Sequence, residues 1–146
     1  MKIEPIDLPA RPELADAARA LLLDAARTDG VDAFSEQFLL GLDDARLGHR
    51  HILALDGGRL LGLAACDASS CELAVAPDAR RRGVATALLA ELGGRDVWAH
   101  GNLPAARSLA DGLGRTMTRR LLVMAVEGEA LQEVARFEPR ADVEAL

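Results

Sequence analysis

Apolar residues recur along this chain in two rhythms, and the rhythm changes near its first third. From Glu13 to Arg27, Leu14, Ala17, Ala18, Leu21, Leu22 and Ala25 return at helical spacing and predict one amphipathic helix. Thr28-Asp29-Gly30 ends it, with glycine where a C-terminal cap belongs. Ser35 is an N-cap candidate for a second, shorter helix carrying Phe38, Leu39 and Leu42. The apolar residues then come in short continuous runs. His51–Asp56 and Arg59–Cys66, parted by Gly57-Gly58, predict a β-hairpin. Asp67–Ser70 is a turn, and Cys71–Ala76 a strand that Pro77 terminates. Val84–Leu92 reads as a helix stopped by Gly93-Gly94, Asp96–Ala99 as a short strand, Leu103–Leu113 as a helix and Thr116–Val126 as a strand. With Ile3–Leu8 as an opening strand, the order is β-α-α-β-β-β-α-β-α-β. That order predicts an α/β fold whose central mixed sheet, flanked by helices, is antiparallel at first and parallel around the later helices.

The final stretch, Glu129–Leu146, breaks the pattern. Glu133–Phe137 resembles the opening of a strand and Arg140–Leu146 the first turns of a helix, with nothing after them to pack against. They either dock on the main sheet or open a second unit.

Composition narrows the function classes. The chain has 146 residues, half of them apolar and 27% charged, as expected for one globular domain and not for a disordered chain. No apolar run approaches the ~20 residues of a membrane span, and Met1–Pro5 has no signal-peptide pattern, so a cytoplasmic protein without membrane partners is expected. A net charge of −6 argues against a nucleic-acid-binding surface. Sixteen of the seventeen basic residues are arginine, which points to a GC-rich genome. The two cysteines are too few for a disulfide framework or a four-ligand zinc site, and no metal is expected. Cys66 and Cys71 flank one turn and read as small buried side chains in preference to an acyl-carrying nucleophile.

Chemistry concentrates in Leu73–Thr86. A strand stops at Pro77, a basic turn of Arg80, Arg81 and Arg82 follows, and a helix begins at Gly83. Exposed N–H groups and the positive dipole end at a helix N-terminus bind anions, and small residues such as Gly83 and Ala85 allow a pyrophosphate to approach the backbone. The alternative is a basic surface loop with an ordinary glycine at a helix start.

This run resembles the acyl-CoA motif of the GNAT N-acetyltransferase superfamily, Q/R-x-x-G-x-G/A, as Arg80-x-x-Gly83-x-Ala85 behind the strand Leu73-x-Val75-x-Pro77. The resemblance implies the GNAT fold over residues 1–128 and acetyl-CoA as co-substrate. It implies that Leu73, Ala74 and Val75 offer backbone groups to pantetheine. Behind Arg80 of the motif, Arg81, Arg82, Gly83, Val84, Ala85 and Thr86 would hold the pyrophosphate. Val97–Arg107 with Leu113-Gly114, and Arg119–Met124, further resemble the mycothiol synthase family, which carries two GNAT domains in tandem and acetylates the cysteinyl amine of Cys-GlcN-Ins. This chain is similar to the N-terminal domain of that family, so 129–146 would be a linker and the start of a second GNAT domain. An actinobacterial source agrees with the arginine-rich composition.

The same resemblance implies roles for single residues. Glu72, on the strand before the motif, stands where many GNAT enzymes keep a general base; otherwise it is a carboxylate on a strand's solvent face. Glu36 matches a position that contacts the small-molecule amine substrate; otherwise it is a first-turn glutamate favoured by the helix dipole. His100, at a strand end, either relays a proton or is structural. Asn102 reads as a helix cap, ahead of a role on the cofactor, and Trp98 as core. Many GNAT enzymes protonate the departing thiolate with a tyrosine whose place here is near Ala110, yet the chain has no tyrosine. Three readings therefore stand: an acetyltransferase of mycothiol biosynthesis, a non-catalytic acetyl-CoA-binding domain supporting a partner domain, and a single-domain enzyme for another small-molecule or protein amine.

Overall fold

Continuous burial along the middle strands dictates a sheet covered on both faces. In the computed structural model, which describes residues 1–118 and Arg120, the strands are β1 (Lys2–Ile6), β2 (Arg50–Asp56), β3 (Arg59–Cys66) and β4 (Cys71–Val75). They pair antiparallel in the order β1-β2-β3-β4. Every residue of β3 after Arg59 is buried, the signature of a strand with helices on both sides. β1, at the edge, has no fully buried residue.

Helix α1 (Pro12–Asp29) packs on β3 and β4 through Ala15, Ala18, Leu21, Leu22 and Ala25. Gly30 caps it in the left-handed region. Helix α3 (Val84–Leu92) covers the opposite face, where Val84 and Leu88 press on Gly62. Side chains alternate across each strand. His51, Ala65 and Glu72, paired in register, therefore form one row on the face away from α3. Two short helices complete the described chain, α2 (Glu36–Leu40) and α4 (Pro104–Gly112).

Several expected elements are shorter than the sequence pattern suggests. The opening strand stops at Ile6, and Leu8–Ala10 turns as a 3-10 helix around Pro9. The second helix ends at Leu40, before Leu42. Asp96–Ala99 contributes only one parallel bridge, Cys71 to Val97, held by Cys71 N–H to Asp96 O at 2.8 Å and Trp98 N–H to Cys71 O at 2.9 Å. The turn Asp67–Ser70 forms as expected, with the Asp67 carboxylate accepting from the N–H groups of Ser69 and Ser70. Across it Cys66 and Cys71 are buried as expected, and they are joined as a disulfide, Cα atoms 4.1 Å apart. Residues 116–118 carry no regular structure. The rest of the expected Thr116–Val126 strand, Arg120 aside, and all of 129–146 lie outside the described residues. Among the described residues no helix is long and apolar enough to cross a membrane.

His51 is the one histidine among the buried residues, 2% exposed, with neither ring nitrogen partnered. Burial, helped by the neighbouring His49 and opposed by Asp7, lowers its pKa to about 4. A folded-state value below the unfolded ~6.5 means folding favours the neutral ring. Its contribution is complete above pH 6.5 and is lost as pH falls toward 4, amounting to a few kcal/mol at ~1.4 kcal/mol per unit. Thermal melts from pH 7.5 to 4 should show His51→Leu losing less stability on acidification than the parent. Parallel losses in both proteins would contradict the assignment.

Candidate active site

One edge of β4 is half used. The antiparallel ladder turns the backbone groups of Cys71, Leu73 and Val75 away from β3, because Glu72 and Ala74 sit at the bonded positions between Asp67 N–H to Ser70 O and Ala76 N–H to Leu61 O. Cys71 spends its pair on Asp96 and Trp98. The Val75 carbonyl accepts from Arg80 Nε at 3.2 Å. The Leu73 N–H and C=O and the Val75 N–H have no partner among the described residues. The chain thus diverges from β4 after one bridge, leaving a short edge that an extended amide-bearing ligand can pair with. Of the three residues expected to offer backbone groups there, Leu73 and Val75 face the edge, while Ala74 pairs with Leu63 on β3.

The basic turn leads from that edge into α3. Arg81 adopts φ 61°, rare for a residue with a side chain, and Gly83 adopts φ 81° as the N-cap. The first helical bond returns from Ala87 N–H to Gly83 O. No side chain caps the helix, so the N–H groups of Gly83, Val84, Ala85 and Thr86 have no acceptor among the described residues. A left-handed backbone beside open amides makes an anion-binding concavity, and the helix dipole adds to it. Arg81, Arg82, Gly83 and Thr86 are exposed, Ala85 is half-buried, and Val84 packs inward. Arg80 behaves differently. Its guanidinium holds Asp29, the last residue of α1, bidentately at 2.6 and 2.9 Å, and this carboxylate raises its pKa. Arg80 thus ties the turn to α1, while Arg81 and Arg82 carry the outward charge.

Glu72 is the other focus. It is 2% exposed, not on a solvent face. One carboxylate oxygen accepts the Ser35 N–H at 2.8 Å, and the other meets His100 Nε2 at 2.7 Å. Ser35 precedes α2, so Glu36 begins the next turn with its side chain exposed. His100 follows the Val97 bridge and lies in a 3-10 turn, His100–Asn102. Gly101 in that turn has φ 79° and meets Val31, where an added Cβ would stand 2.8 Å from a Val31 methyl. The segment between α1 and α2 therefore touches both Glu72 and the His100 turn.

Sequence reasoning singled out Glu72, Glu36 and the basic turn before α3 but passed over two of the partners that hold them. Ser35 acts through its backbone N–H, which leaves no trace in residue type. Asp29 read as a helix stop; it lies 51 residues from Arg80 along the chain, and only the fold brings the two together. Asn102, expected as a cap, sits inside the 3-10 turn at φ 45°, and the N-cap of α4 is Leu103. Trp98 is half-buried, not core.

Residues 15–93 match the family model described as the Acetyltransferase (GNAT) family, and the chain belongs to that family. Curated relatives are more specific. It is 46% identical over 131 residues to the mycothiol acetyltransferase of Corynebacterium efficiens and 48% identical over 133 residues to that of Corynebacterium aurimucosum. Each alignment covers 90% of this chain but 44% of the relative, so the chain spans less than half the length of the curated relatives it matches. A crystal structure of a predicted acetyltransferase with acetyl-CoA from Clostridium acetobutylicum is similar in fold, with a TM-score of 0.55, 14% identity, and 85% of this chain and 95% of that chain covered.

The division of labour among the arginines is measurable by stability alone. Arg80→Ala should cost about 1–2 kcal/mol, because it leaves the largely covered Asp29 carboxylate without its partner. Arg82→Ala should stay within ~0.5 kcal/mol. Equal denaturation midpoints for the two variants would contradict the strut role of Arg80.

Proposed function

We propose that this domain binds acetyl-CoA along β4 and at the start of α3 and transfers its acetyl group to an amine, with the cysteinyl amine of Cys-GlcN-Ins as acceptor in mycothiol biosynthesis. The observation that carries the reading is the continuous donor surface. Two backbone positions of an unpaired strand edge lead into the open amides of Gly83–Thr86, flanked by Arg81 and Arg82. Pantetheine has amides for the first part and a pyrophosphate for the second. Glu72 supplies the carboxylate of the proton-abstracting machinery, and Glu36, exposed beside Ser35, would take hydroxyl or ammonium groups of the acceptor. The relatives named for mycothiol acetylation support that acceptor. The cytoplasm, where acetyl-CoA is available, suits the reaction. A second GNAT domain after this one in the native chain agrees with the 44% coverage of those relatives.

A second reading has its own support. No tyrosine is present to protonate the thiolate. A domain that holds acetyl-CoA for a catalytic partner domain would need only the donor surface.

Mass spectrometry of the purified chain with acetyl-CoA and Cys-GlcN-Ins separates these readings without a thiol dye that the substrate's cysteine would consume. Acetylated product above background supports transfer. Bound acetyl-CoA with no product supports the second reading.

Gly83 gives a test of the donor site itself. Asn tolerates its left-handed backbone and Asp has nearly the same shape, so Gly83→Asp against Gly83→Asn isolates charge. Calorimetry should show acetyl-CoA binding about tenfold or more weaker to the Asp variant, at least ~1.4 kcal/mol. Equal affinities would remove the pyrophosphate from this loop.

A further inference from the structure

We infer that His100 is the group that takes the proton from the acceptor amine, with Glu72 as its positioning residue; the inference rests on the acetyl-transfer reading above. Glu72 is badly placed to meet a substrate. It is 2% exposed, and each oxygen already has a donor, the Ser35 N–H and His100 Nε2. It is the burial that keeps an amine away, since each oxygen has a further lone pair but almost no surface through which to use it.

His100 has the complementary properties. Its side chain is 34% exposed. The carboxylate facing Nε2 accepts a hydrogen, which assigns the ring proton to Nε2 and leaves a lone pair on Nδ1. Nδ1 has no partner among the described residues. The carboxylate thus fixes tautomer and ring orientation and offsets the charge that appears when Nδ1 is protonated, the logic of an oriented histidine base. Location agrees. Glu72 is the first residue of β4 beyond the Cys71–Val97 bridge, so the imidazole stands where the chain leaves the strand, next to the open edge at Leu73 and Val75. Of the other two histidines, His51 is separated from Glu72 by Ala65 in the same row and is fully enclosed, and the His49 ring packs against Phe38 and His51.

The proton and electron count closes with one imidazole. Nδ1 removes a proton from the acceptor's ammonium, and the free amine attacks the thioester carbonyl carbon. A C–N bond forms while the carbonyl π pair moves onto oxygen. When that pair returns, the C–S bond breaks and its electrons leave with the CoA thiolate. Of the two protons the nitrogen loses, one ends on sulfur and the other goes to water. The imidazolium is the acid at hand for the thiolate in a chain with no tyrosine.

The test compares the full chain with His100→Ala, His100→Asn and Glu72→Gln, using acetyl-CoA and Cys-GlcN-Ins with product measured by mass. His100→Asn keeps an N–H for Glu72 but has no basic nitrogen, so it guards against loss of fold. Both His100 variants should lower kcat about 100-fold with little change in KM for either substrate, and free imidazole should restore part of the rate to His100→Ala. Glu72→Gln should lower kcat without responding to imidazole. Full activity in the His100 variants, or a loss confined to KM without rescue, would overturn the assignment while acetyl transfer stands. A parent chain that binds acetyl-CoA and makes no product overturns both.

Discussion

A carboxylate taken out of water must be answered by hydrogen-bond donors, and the donors that answer Glu72 come from opposite ends of the domain. The Ser35 N–H arrives from the segment after α1, and the His100 imidazole from the chain that follows the single parallel bridge. At the contact the first is the N-cap of α2 and the second a single 3-10 turn. The buried charge on β4 is what they converge on, and it sets where α2 begins and where the chain turns away from the sheet.

That turning away leaves the rest of β4 unpaired, and the donor surface follows from it. Among the described residues only Cys71 finds a partner on that side, so the Leu73 N–H and C=O and the Val75 N–H stay open. Arg80, held by Asp29 and bonded to the Val75 carbonyl, fixes the chain that leaves this edge so that Gly83–Thr86 present their amides. The residues on either side of the turn between α1 and α2 therefore anchor both ends of the site: Asp29, closing α1, at the basic turn and Ser35 at Glu72. In a chain of net charge −6, neutralising one of three consecutive arginines internally leaves a compact positive spot and no broad basic surface. Such a spot suits a small polyanion better than a nucleic acid.

Where local pattern decides, the fold was legible. The continuous apolar runs and Gly-Gly turn of β2 and β3, the helical spacing of α1 and the Pro77 stop are short-range signals, and the Arg80-x-x-Gly83-x-Ala85 run marks the basic turn that opens α3. What escaped depends on long-range pairing. Asp96–Ala99 has strand-like residues, but only Val97 reaches a partner, so propensity overstated the strand. Glu72 reads equally well as exposed or buried from alternation, since β4 is covered on both faces. Cys66 and Cys71 flank a turn that the sequence marks, but residue type alone does not say that their sulfurs bond. The partnership of Glu72 with His100 spans 28 residues and has no sequence signature at all.

A crystal structure of this chain with acetyl-CoA tests the donor site most directly. Pyrophosphate oxygens should lie on the N–H groups of Gly83–Thr86, and the pantetheine amides should pair with Leu73 and Val75. A cofactor bound elsewhere, or a β4 edge closed by another strand across Leu73 and Val75, would contradict it.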